Sequence, residues 1–383
     1  MDTLLSEIVP KQKNQSDFPL YTTGILPSQK IKRLIDERQI AAESDISESQ
    51  IQPASIDLRL GRVAYRVMAS FLPREDCPLS ETINRLKMYE VDLSRPAILE
   101  KGCVYVIPLM EQLKLRDLSG RANPKSTIGR LDLFTRLICD RTNEFDFVPP
   151  SYTGPLYAQV VPRTFSVLAQ QGIALNQLRF IRGTPPSLNR DLIALHFQEP
   201  LVYVQDRPIA SEISKGLWVS IDLVGEGKWV GYKARHHTPL IDLTQINHYD
   251  PLDFWEPISP PTQGRLILNT DDFYILVSKE RVRVPHHYAA QMVAYEPSIG
   301  EFRVHYAGFF DPGFGYGNGE VKGTPAVLEV RSHEAPFLLE DGQRIGRLVY
   351  ERLLSPSDKI YGKAIGSSYA HQTLSLSKQF RRE

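Results

Sequence analysis

The sequence predicts an all-β fold with minor helix, and two observations support this class. Short runs of alternating apolar and polar residues, separated by Pro, Gly and Asp, begin near residue 56, which is typical of antiparallel strands. Clear examples are residues 56–60, 104–107 and 157–161. The chain also contains 28 prolines among 383 residues, and prolines disfavour long helices because they remove a backbone donor.

A third observation indicates two tandem domains, because landmarks of the first half return in the same order in the second. The Ser-Ile-Asp-Leu run at 55–58 returns at 220–223, and Thr-Ile-Gly at 127–129 returns as Ser-Ile-Gly at 298–300. Segment 159–178 aligns with 329–348, an offset of 329 − 159 = 170. We predict a tail at 1–21, β domains at 22–184 and 190–355, and a tail at 356–383, with a Pro- and Gly-rich linker at 182–187.

Helical spacing is found near the start of the first domain. Ser28 precedes Ile31, Leu34 and Ile35, which predicts an amphipathic helix that is N-capped by Ser28 and ends near Glu37. We expect it to be the only substantial helix of the first half.

The composition excludes several functional classes. The 45 basic and 45 acidic side chains balance, so no net charge attracts nucleic acid or an anionic membrane. No apolar run reaches the roughly 18 residues of a membrane span, and the polar start lacks a signal-peptide pattern. We therefore expect a cytoplasmic protein. Three widely spaced cysteines, at 77, 103 and 139, predict neither a disulfide framework nor a thiolate metal site.

A cluster of polar groups stands at residues 125–130, between strand-like runs at 112–115 and 131–138. Lys125, Ser126, Thr127, Gly129 and Arg130 supply cations, hydroxyls and backbone N–H groups to one small volume. This composition suits the binding of a phosphate chain. A solvated connecting loop is the alternative for so short a motif.

The two copies of the repeat differ in complementary ways. In the second copy Glu296, Pro297 and Glu301 stand where the first has Lys125, Ser126 and Arg130. In the first copy Gln159 stands where the second has Glu329, and an amide takes no proton at neutral pH. A lone glutamate in such a strand is more often on the surface. A complete site would combine the first copy's cationic loop with the second copy's carboxylate.

Several motifs resemble those of the dCTP deaminases of the trimeric dUTPase-like superfamily. They are Pro53-Ala54-Ser55-Ile56-Asp57-Leu58-Arg59-Leu60-Gly61, Lys125-Ser126-Thr127-Ile128-Gly129-Arg130, Asp311-Pro312-Gly313-Phe314 and Leu328-Glu329. The chain looks like the long, duplicated bacterial form. The resemblance implies two tandem dUTPase-like domains of the distorted jelly-roll or β-clip type, with active sites between neighbouring copies.

The resemblance also implies roles for individual residues. Glu329 would be the general base, while Ser126 and Arg130 would position the water and stabilise charge at the attacked carbon. Lys125 and Thr127 would join them in binding substrate, and the Ala307 carbonyl would help to hold the water. Asp311 would meet the deoxyribose, and Phe314 would pack where a 2′-hydroxyl would clash.

The C-terminal tail resembles the family segment that closes over the triphosphate. Tyr369 and Gln372 match that segment, but Ser368 stands where the family has a lysine, and Lys363 is a candidate replacement. Disorder is the alternative for a polar terminus. The Gly-rich insertion at 315–319 predicts a flexible loop and not a dinucleotide fingerprint, because no βαβ pattern surrounds it.

The alternatives concern chemistry and partners. A zinc-dependent cytidine deaminase would carry His-x-Glu and Pro-Cys-x-x-Cys, and neither occurs. We expect no catalytic zinc, with Mg²⁺ entering only with the triphosphate. A dUTPase or a bifunctional deaminase and diphosphatase is the enzymatic alternative, and a non-catalytic nucleotide sensor is the other. The expected partners are dCTP, dTTP as a feedback inhibitor, and further copies of the chain in a homo-oligomer.

Overall fold

The computed structural model describes residues 21–184, 189–209, 213, 215–225, 227–293, 302–304, 308–317, 321–332, 335–362 and 374–382. The described part of the chain contains no helix long and apolar enough to cross a membrane.

The described part of the first half folds into thirteen strands, three helices and a short 3-10 turn at 48–50. In order these are β1 (Gly24–Ile25), α1 (Ser28–Asp36), β2 (Ile40–Ala42), β3 (Ile56–Arg59), β4 (Val63–Val67), α2 (Leu79–Leu86), β5 (Lys87–Asp92), β6 (Ala97–Leu99), β7 (Val104–Lys114), β8 (Leu118–Pro124), α3 (Ser126–Gly129), β9 (Leu133–Cys139), β10 (Phe147–Val148), β11 (Thr153–Pro162), β12 (Val167–Ala169) and β13 (Ala174–Arg182).

The second half contributes fourteen described strands and two described helices. These are α4 (Asn189–Gln198), β14 (Val202–Val204), β15 (Arg207–Pro208), β16 (Leu217–Ser220), β17 (Gly231–Ala234), β18 (Ile241–Asp242), α5 (Pro251–Phe254), β19 (Trp255–Ile258), β20 (Arg265–Leu268), β21 (Phe273–Val282), β22 (Tyr288–Met292), β23 (Phe302–Val304), β24 (Phe309–Phe310), β25 (Thr324–Ser332), β26 (Phe337–Glu340) and β27 (Arg344–Arg352).

The two halves build equivalent antiparallel sheets, which confirms the predicted all-β class. In the first half β7 pairs with β11, β4 and β2, and β11 continues to β9. In the second half β21 pairs with β25, β17 and β14, and β25 continues to β23. A smaller sheet centred on β13 packs with the first, and one centred on β27 with the second. Strands β11 and β25 therefore hold the same place in their copies.

The helices correct several local predictions. Helix α1 begins at Ser28, and Pro27 is its N-cap residue, without a side-chain cap. The Ser28 hydroxyl lies 2.9 Å from the Ser357 hydroxyl instead of capping the helix. Helix α2 is a second helix of the first half, which the prediction of a single helix missed. Residues 126–129 form the single turn α3, and strand β8 lies between the predicted strand at 112–115 and this turn.

The two copies share one apolar core at their junction. Strand β12 of the first copy pairs with β18 of the second in parallel, with Val167 opposite Ile241. Trp255 and Phe273 of the second copy extend the core of the first, and the Trp255 ring meets Phe165 edge-on at 5.4 Å. Aromatic pairs of this geometry contribute beyond the area they bury. The junction is thus packed with buried apolar side chains, like the interior of a single domain.

The outer face of the main sheet is covered differently in the two copies. In the second copy this face, which carries Phe273 and Ile275, packs against the first copy. In the first copy the equivalent face carries Val106 and Ile138 and is covered by α2, through Leu79 and Ile83. Because side chains at alternate strand positions share a face, residues 327, 329 and 331 of β25 lie in the junction between the copies.

Candidate functional site

Arg130 of the first copy and Glu329 of the second lie together at this junction. Arg130 follows α3, Glu329 lies in β25, and the Arg130 Nε atom is 4.0 Å from Glu329 Oε1. Both residues are buried, at 7% and 5% exposure. The sequence left open whether the site forms within or between chains, and the structure brings these two predicted residues together within one chain.

Burial raises the pKa of the Glu329 carboxyl to about 8, and the nearby Arg130 guanidinium opposes this rise. Removal from water disfavours the charged carboxylate, whereas a cation favours it. Here desolvation dominates. A carboxyl group with a pKa near the working pH can both accept and return a proton, as a general base that later acts as an acid requires.

Helix α3 places the other predicted loop residues around Arg130. Ser126 is its first residue, and the Ser126 carbonyl accepts a hydrogen bond of 3.1 Å from the Arg130 N–H. The Lys125 N–H donates to the Leu175 carbonyl of β13 at 2.9 Å. The Thr127 carbonyl is held by the Ser377 hydroxyl at 2.6 Å. These bonds fix the turn between β8 and β9, so Lys125, Ser126 and Arg130 leave it from defined positions.

Lys125 is paired with Asp57, the aspartate of the Ser-Ile-Asp-Leu repeat. The Lys125 ammonium donates to the Asp57 carboxylate. Burial raises the pKa of Asp57, and Lys125 opposes that rise. Lys125, which we predicted to bind phosphate, is therefore oriented by the buried carboxylate of Asp57 on β3.

Asp311 and Phe314 occupy the turn that follows β24. The Asp311 carboxylate accepts a bond of 3.3 Å from Arg179 of the first copy, and burial raises the pKa of Asp311 while Arg179 opposes this. Phe314 packs edge-on against Phe310 at 5.0 Å. Gly313 between them has φ +90°, and an added Cβ would lie 2.1 Å from the Ile360 side chain, so only glycine fits this turn.

The charges at Asp57, Lys125 and Asp311 act on one another. Asp57 raises the pKa of Asp311, and Lys125 lowers it, after the larger effects of burial and Arg179. The Lys125 and Asp311 groups of the two copies thus belong to one electrostatic environment. The loop, the acid and the Asp-Pro-Gly-Phe turn converge on the same junction, as the composite-site hypothesis requires.

Two groups of contacts at the site were missed from the sequence. Arg331, two residues after Glu329, pairs with the buried Asp132 and donates to the Thr164 hydroxyl at 3.0 Å. Ser375, in the C-terminal segment, accepts hydrogen bonds from Arg130 through its carbonyl at 3.0 Å and its hydroxyl at 2.6 Å. The alternate spacing of Glu329 and Arg331 was available as a signal for the first group. Nothing in the polar tail marks Ser375.

Four predicted substrate-binding residues and the three residues opposite the cationic loop lie outside the described residues; they are Ala307, Lys363, Tyr369, Gln372, Glu296, Pro297 and Glu301. Within the described residues, no group of three or more His, Cys, Asp or Glu side chains could hold a metal ion.

Comparison with known proteins gives the family of both copies. The model of the 2′-deoxycytidine 5′-triphosphate deaminase N-terminal domain matches residues 22–184, and that of the C-terminal domain matches residues 188–380. A crystal structure of 2′-deoxycytidine 5′-triphosphate deaminase from Agrobacterium tumefaciens is similar with a TM-score of 0.83 and 48% identity, covering 87% of this chain and 100% of that one.

Two curated relatives are shorter matches, and both are named "dCTP deaminase, dUMP-forming". The Halobacterium salinarum protein is 40% identical over 110 residues, which are 28% of this chain and 52% of the relative. The Streptomyces coelicolor protein is 27% identical over 164 residues, 40% of this chain and 82% of the relative. The first match thus spans about half the length of that relative.

Proposed function

The chain belongs to the 2′-deoxycytidine 5′-triphosphate deaminase family of hydrolytic deaminases, and we propose that it converts dCTP and water to dUTP and ammonia with Glu329 as general base. The observation that carries this assignment of the base is the buried Arg130–Glu329 pair at 4.0 Å between the two copies. In pyrimidine deoxynucleotide metabolism, this reaction supplies the precursor of dUMP and dTTP.

Water is a weak nucleophile and ammonia is a poor leaving group, so the reaction needs proton transfer in both directions. In the proposed sequence Glu329 takes a proton from water as the water oxygen bonds to C4 of cytosine, and it passes that proton to N3 of the ring. Glu329 then transfers the proton of the new C4 hydroxyl to the exocyclic amino group. The C4–N bond breaks with its electron pair on nitrogen, the C4 carbonyl forms, and ammonia leaves. General acid–base catalysis of this kind typically contributes ~10²–10⁴ in rate.

The other predicted residues have complementary roles in this proposal. Ser126 and Arg130 orient the water and stabilise the charge that develops at the attacked carbon. Lys125 and Thr127 bind the phosphate chain, and the Lys125 ammonium would keep its contact with Asp57 and offer its other N–H donors to phosphate. Asp311 and Phe314 would meet the sugar. The support for these roles is the common junction and the rigid turns that carry these residues.

The chemistry of the donors limits how Mg²⁺ would bind. Asp57 is engaged by Lys125 and Asp311 by Arg179, so neither carboxylate is a ready ligand. A Mg²⁺ ion that enters with dCTP would take its ligands mainly from phosphate oxygens and water, as this ion often does. It would neutralise the triphosphate, while proton transfer would remain with Glu329.

A second candidate function is favoured by the names of the curated relatives, which are dUMP-forming. A bifunctional enzyme would deaminate dCTP and then hydrolyse the triphosphate to dUMP and pyrophosphate. This needs a carboxylate to activate water at the α-phosphorus, and Asp311, whose side chain is 12% exposed, is the candidate. The ion pair of Asp311 with Arg179 at 3.3 Å weakens this carboxylate as an acceptor of a proton from water. We therefore favour dUTP as the product.

One experiment separates these functions. The protein is incubated with dCTP and Mg²⁺, and ammonia, dUTP, dUMP and pyrophosphate are measured together. Equal amounts of ammonia and dUTP support the proposal, and dUMP with pyrophosphate supports the bifunctional enzyme. Glu329→Gln should release no ammonia and still bind dCTP. Tight binding of dCTP by the unaltered protein without any product would instead indicate a nucleotide sensor and refute the proposal.

A further inference from the structure

Residues 374–382 form a C-terminal strap that is fixed across the junction of the two copies. The Lys378 carbonyl accepts a bond of 2.9 Å from the Asn247 N–H, and the Gln379 carbonyl accepts from His248 and Tyr249. Phe380 is 2% exposed and packs against Phe254 with ring centroids 5.3 Å apart. Backbone bonds and an aromatic anchor therefore give the strap a defined path.

The strap contacts α3 at two points beside the proposed base. The Ser377 hydroxyl donates to the Thr127 carbonyl at 2.6 Å. The Ser375 carbonyl and hydroxyl both accept from Arg130 Nη1, at 3.0 and 2.6 Å. Bonds from a charged donor are among the stronger hydrogen bonds in proteins. The strap thus contacts the guanidinium at Nη1, whereas Glu329 is nearest to Nε.

The Ser375 contacts of Arg130 are shorter than its separation from Glu329. An arginine beside a carboxylate ordinarily forms a bidentate pair with bonds of about 2.7–2.9 Å. The Nε–Oε1 distance here is 4.0 Å, while Nη1 is directed to Ser375. We infer that Ser375 is a positioning residue, which holds the Arg130 guanidinium away from a close ion pair with Glu329.

The inference rests on the proposed function, because the separation matters only if Glu329 is the base. A carboxylate in a close, bidentate pair has its lone pairs occupied and is a weaker base. Arg130 is the charged side chain that acts on the pKa of Glu329. The nearby Arg331 on the same strand is paired with Asp132 of the first copy. Ser375 therefore preserves a basic carboxylate next to a cation.

The test is the pH dependence of dCTP deamination by the full-length Ser375→Ala and Ser375→Thr variants. Loss of the hydroxyl in Ser375→Ala removes one of the two Ser375 acceptors of Arg130 Nη1. The guanidinium should then turn toward Glu329 and lower the pKa of the Glu329 carboxyl. We expect the acid limb of kcat/KM to move to lower pH by about one unit, since a close cation lowers a carboxyl pKa by 1–3 units. The plateau of kcat should fall about 3- to 10-fold because the base is weaker. Ser375→Thr keeps the hydroxyl and should keep the acid limb.

A second measurement does not depend on turnover. In protein labelled with ¹³C at glutamate carboxyls, the Glu329 resonance, assigned by its loss in Glu329→Gln, is titrated in the unaltered protein and in both variants. A lower titration midpoint in Ser375→Ala alone supports the inference. Ser94→Ala, an exposed serine bound to Asp92, is the matched control and should change neither readout.

The two possible failures are distinguishable. An unchanged acid limb and an unchanged titration midpoint in Ser375→Ala would overturn the positioning role while leaving the proposed function intact. Absence of ammonia release by the unaltered protein would instead overturn the proposed function. If Ser375→Ala does not fold, the same titration in Ser375→Cys, whose thiol is a weak acceptor, decides between the outcomes.

Discussion

Arg130 and Glu329 lie 199 positions apart in the sequence (329 − 130), yet their side chains are 4.0 Å apart in one polypeptide. The first copy supplies the cation and the second supplies the acid, and both side chains are buried. The duplication therefore gives one chain both halves of a site.

This relationship predicts that two inactive chains do not complement each other. Arg130→Met and Glu329→Gln are each expressed, mixed, partially unfolded together and refolded, and ammonia release from dCTP is measured. Because each chain carries both halves of its own site, we expect the mixture to remain near the background of the separate variants. Unaltered protein taken through the same procedure is the control for recovery. Activity at a sizeable fraction of that control would mean that the site forms between chains.

A second prediction concerns stability and follows from the raised pKa of Glu329, about 8 in the folded state. The folded state binds more protons than the unfolded state between the unfolded pKa, near 4.3, and about 8. The contribution of Glu329 to stability is therefore fully present below the unfolded pKa and is lost as the pH rises through the folded pKa. The loss approaches about 1.4 kcal/mol per pH unit within that window.

Glu329→Gln removes this dependence because the amide does not titrate. Relative to the unaltered protein, the variant should gain stability steadily from pH 5 to pH 8, whatever constant offset the substitution brings. Denaturant unfolding at several pH values measures the difference in the free energy of unfolding. Glu340→Gln, at an exposed ion pair with Arg265, is the matched control and should give a nearly constant difference. Parallel curves for Glu329→Gln and the unaltered protein would contradict a raised pKa.

The sequence predicted which residues meet at the junction more accurately than it predicted the local helices and their caps. The contrast of Gln159 with Glu329 led to the prediction that Glu329 joins the first copy's loop, because the two copies provide an internal comparison, and the structure places Glu329 4.0 Å from Arg130. Ser28 looked like an N-cap, but its hydroxyl is bound to Ser357, and no local rule anticipates a partner 329 positions away. Ser375 was missed for the same reason.

Helix α2 was missed because its apolar positions are few and follow Pro78. Its stability comes from packing, since Leu79 and Ile83 fill the outer face of the first copy's sheet. Tertiary contacts of this kind override weak local signals in short helices. The helix has a functional consequence, because it covers the face on which Gln159 lies.

That cover leads to a third prediction, about Gln159. Its side chain is 1% exposed and accepts a bond of 2.7 Å from the Ser70 hydroxyl, so this face is closed by the chain itself. We expect Gln159→Ala to leave ammonia release per folded molecule within about twofold of normal. It should lower the free energy of unfolding by about 0.5–1.5 kcal/mol, because the hydrogen bond between Gln159 and the exposed Ser70 hydroxyl is lost. Activity and denaturant unfolding are measured on the same preparations.

Gln159→Glu is the complementary variant. A carboxylate at position 159 should create no second active site. Helix α2 covers this face of the first copy's sheet, whereas Arg130 lies against the equivalent face of the second copy's sheet. The buried carboxyl should instead destabilise the protein increasingly as the pH rises above its unfolded pKa, near 4.3. A doubling of turnover in Gln159→Glu, or a collapse of turnover in Gln159→Ala comparable to that of Glu329→Gln, would contradict the single composite site.

The last prediction concerns Arg179, which joins the copies on the other side of the site. It is 1% exposed, and its guanidinium donates to the Ala290 and Phe310 carbonyls at 2.9 and 3.0 Å and to Asp311 at 3.3 Å. It also lies over the Phe309 ring at 3.9 Å. Arg179→Met should cost about 3–5 kcal/mol of stability, because removing one partner of a buried pair leaves the other charge uncompensated.

A double-mutant cycle with Asp311→Asn tests whether this loss comes from the ion pair. The amide that Asp311→Asn introduces carries no charge, so adding this substitution to Arg179→Met should cost much less than Asp311→Asn costs alone, with a coupling energy of about 1–3 kcal/mol. The effects of the two substitutions on the KM for dCTP should also be non-additive, because Arg179 orients the Asp311 carboxylate that we propose meets the sugar. Additive stabilities, within about 0.5 kcal/mol, would show that the other contacts of Arg179, with the two carbonyls, Glu351 and the Phe309 ring, and not Asp311, make it essential to the junction.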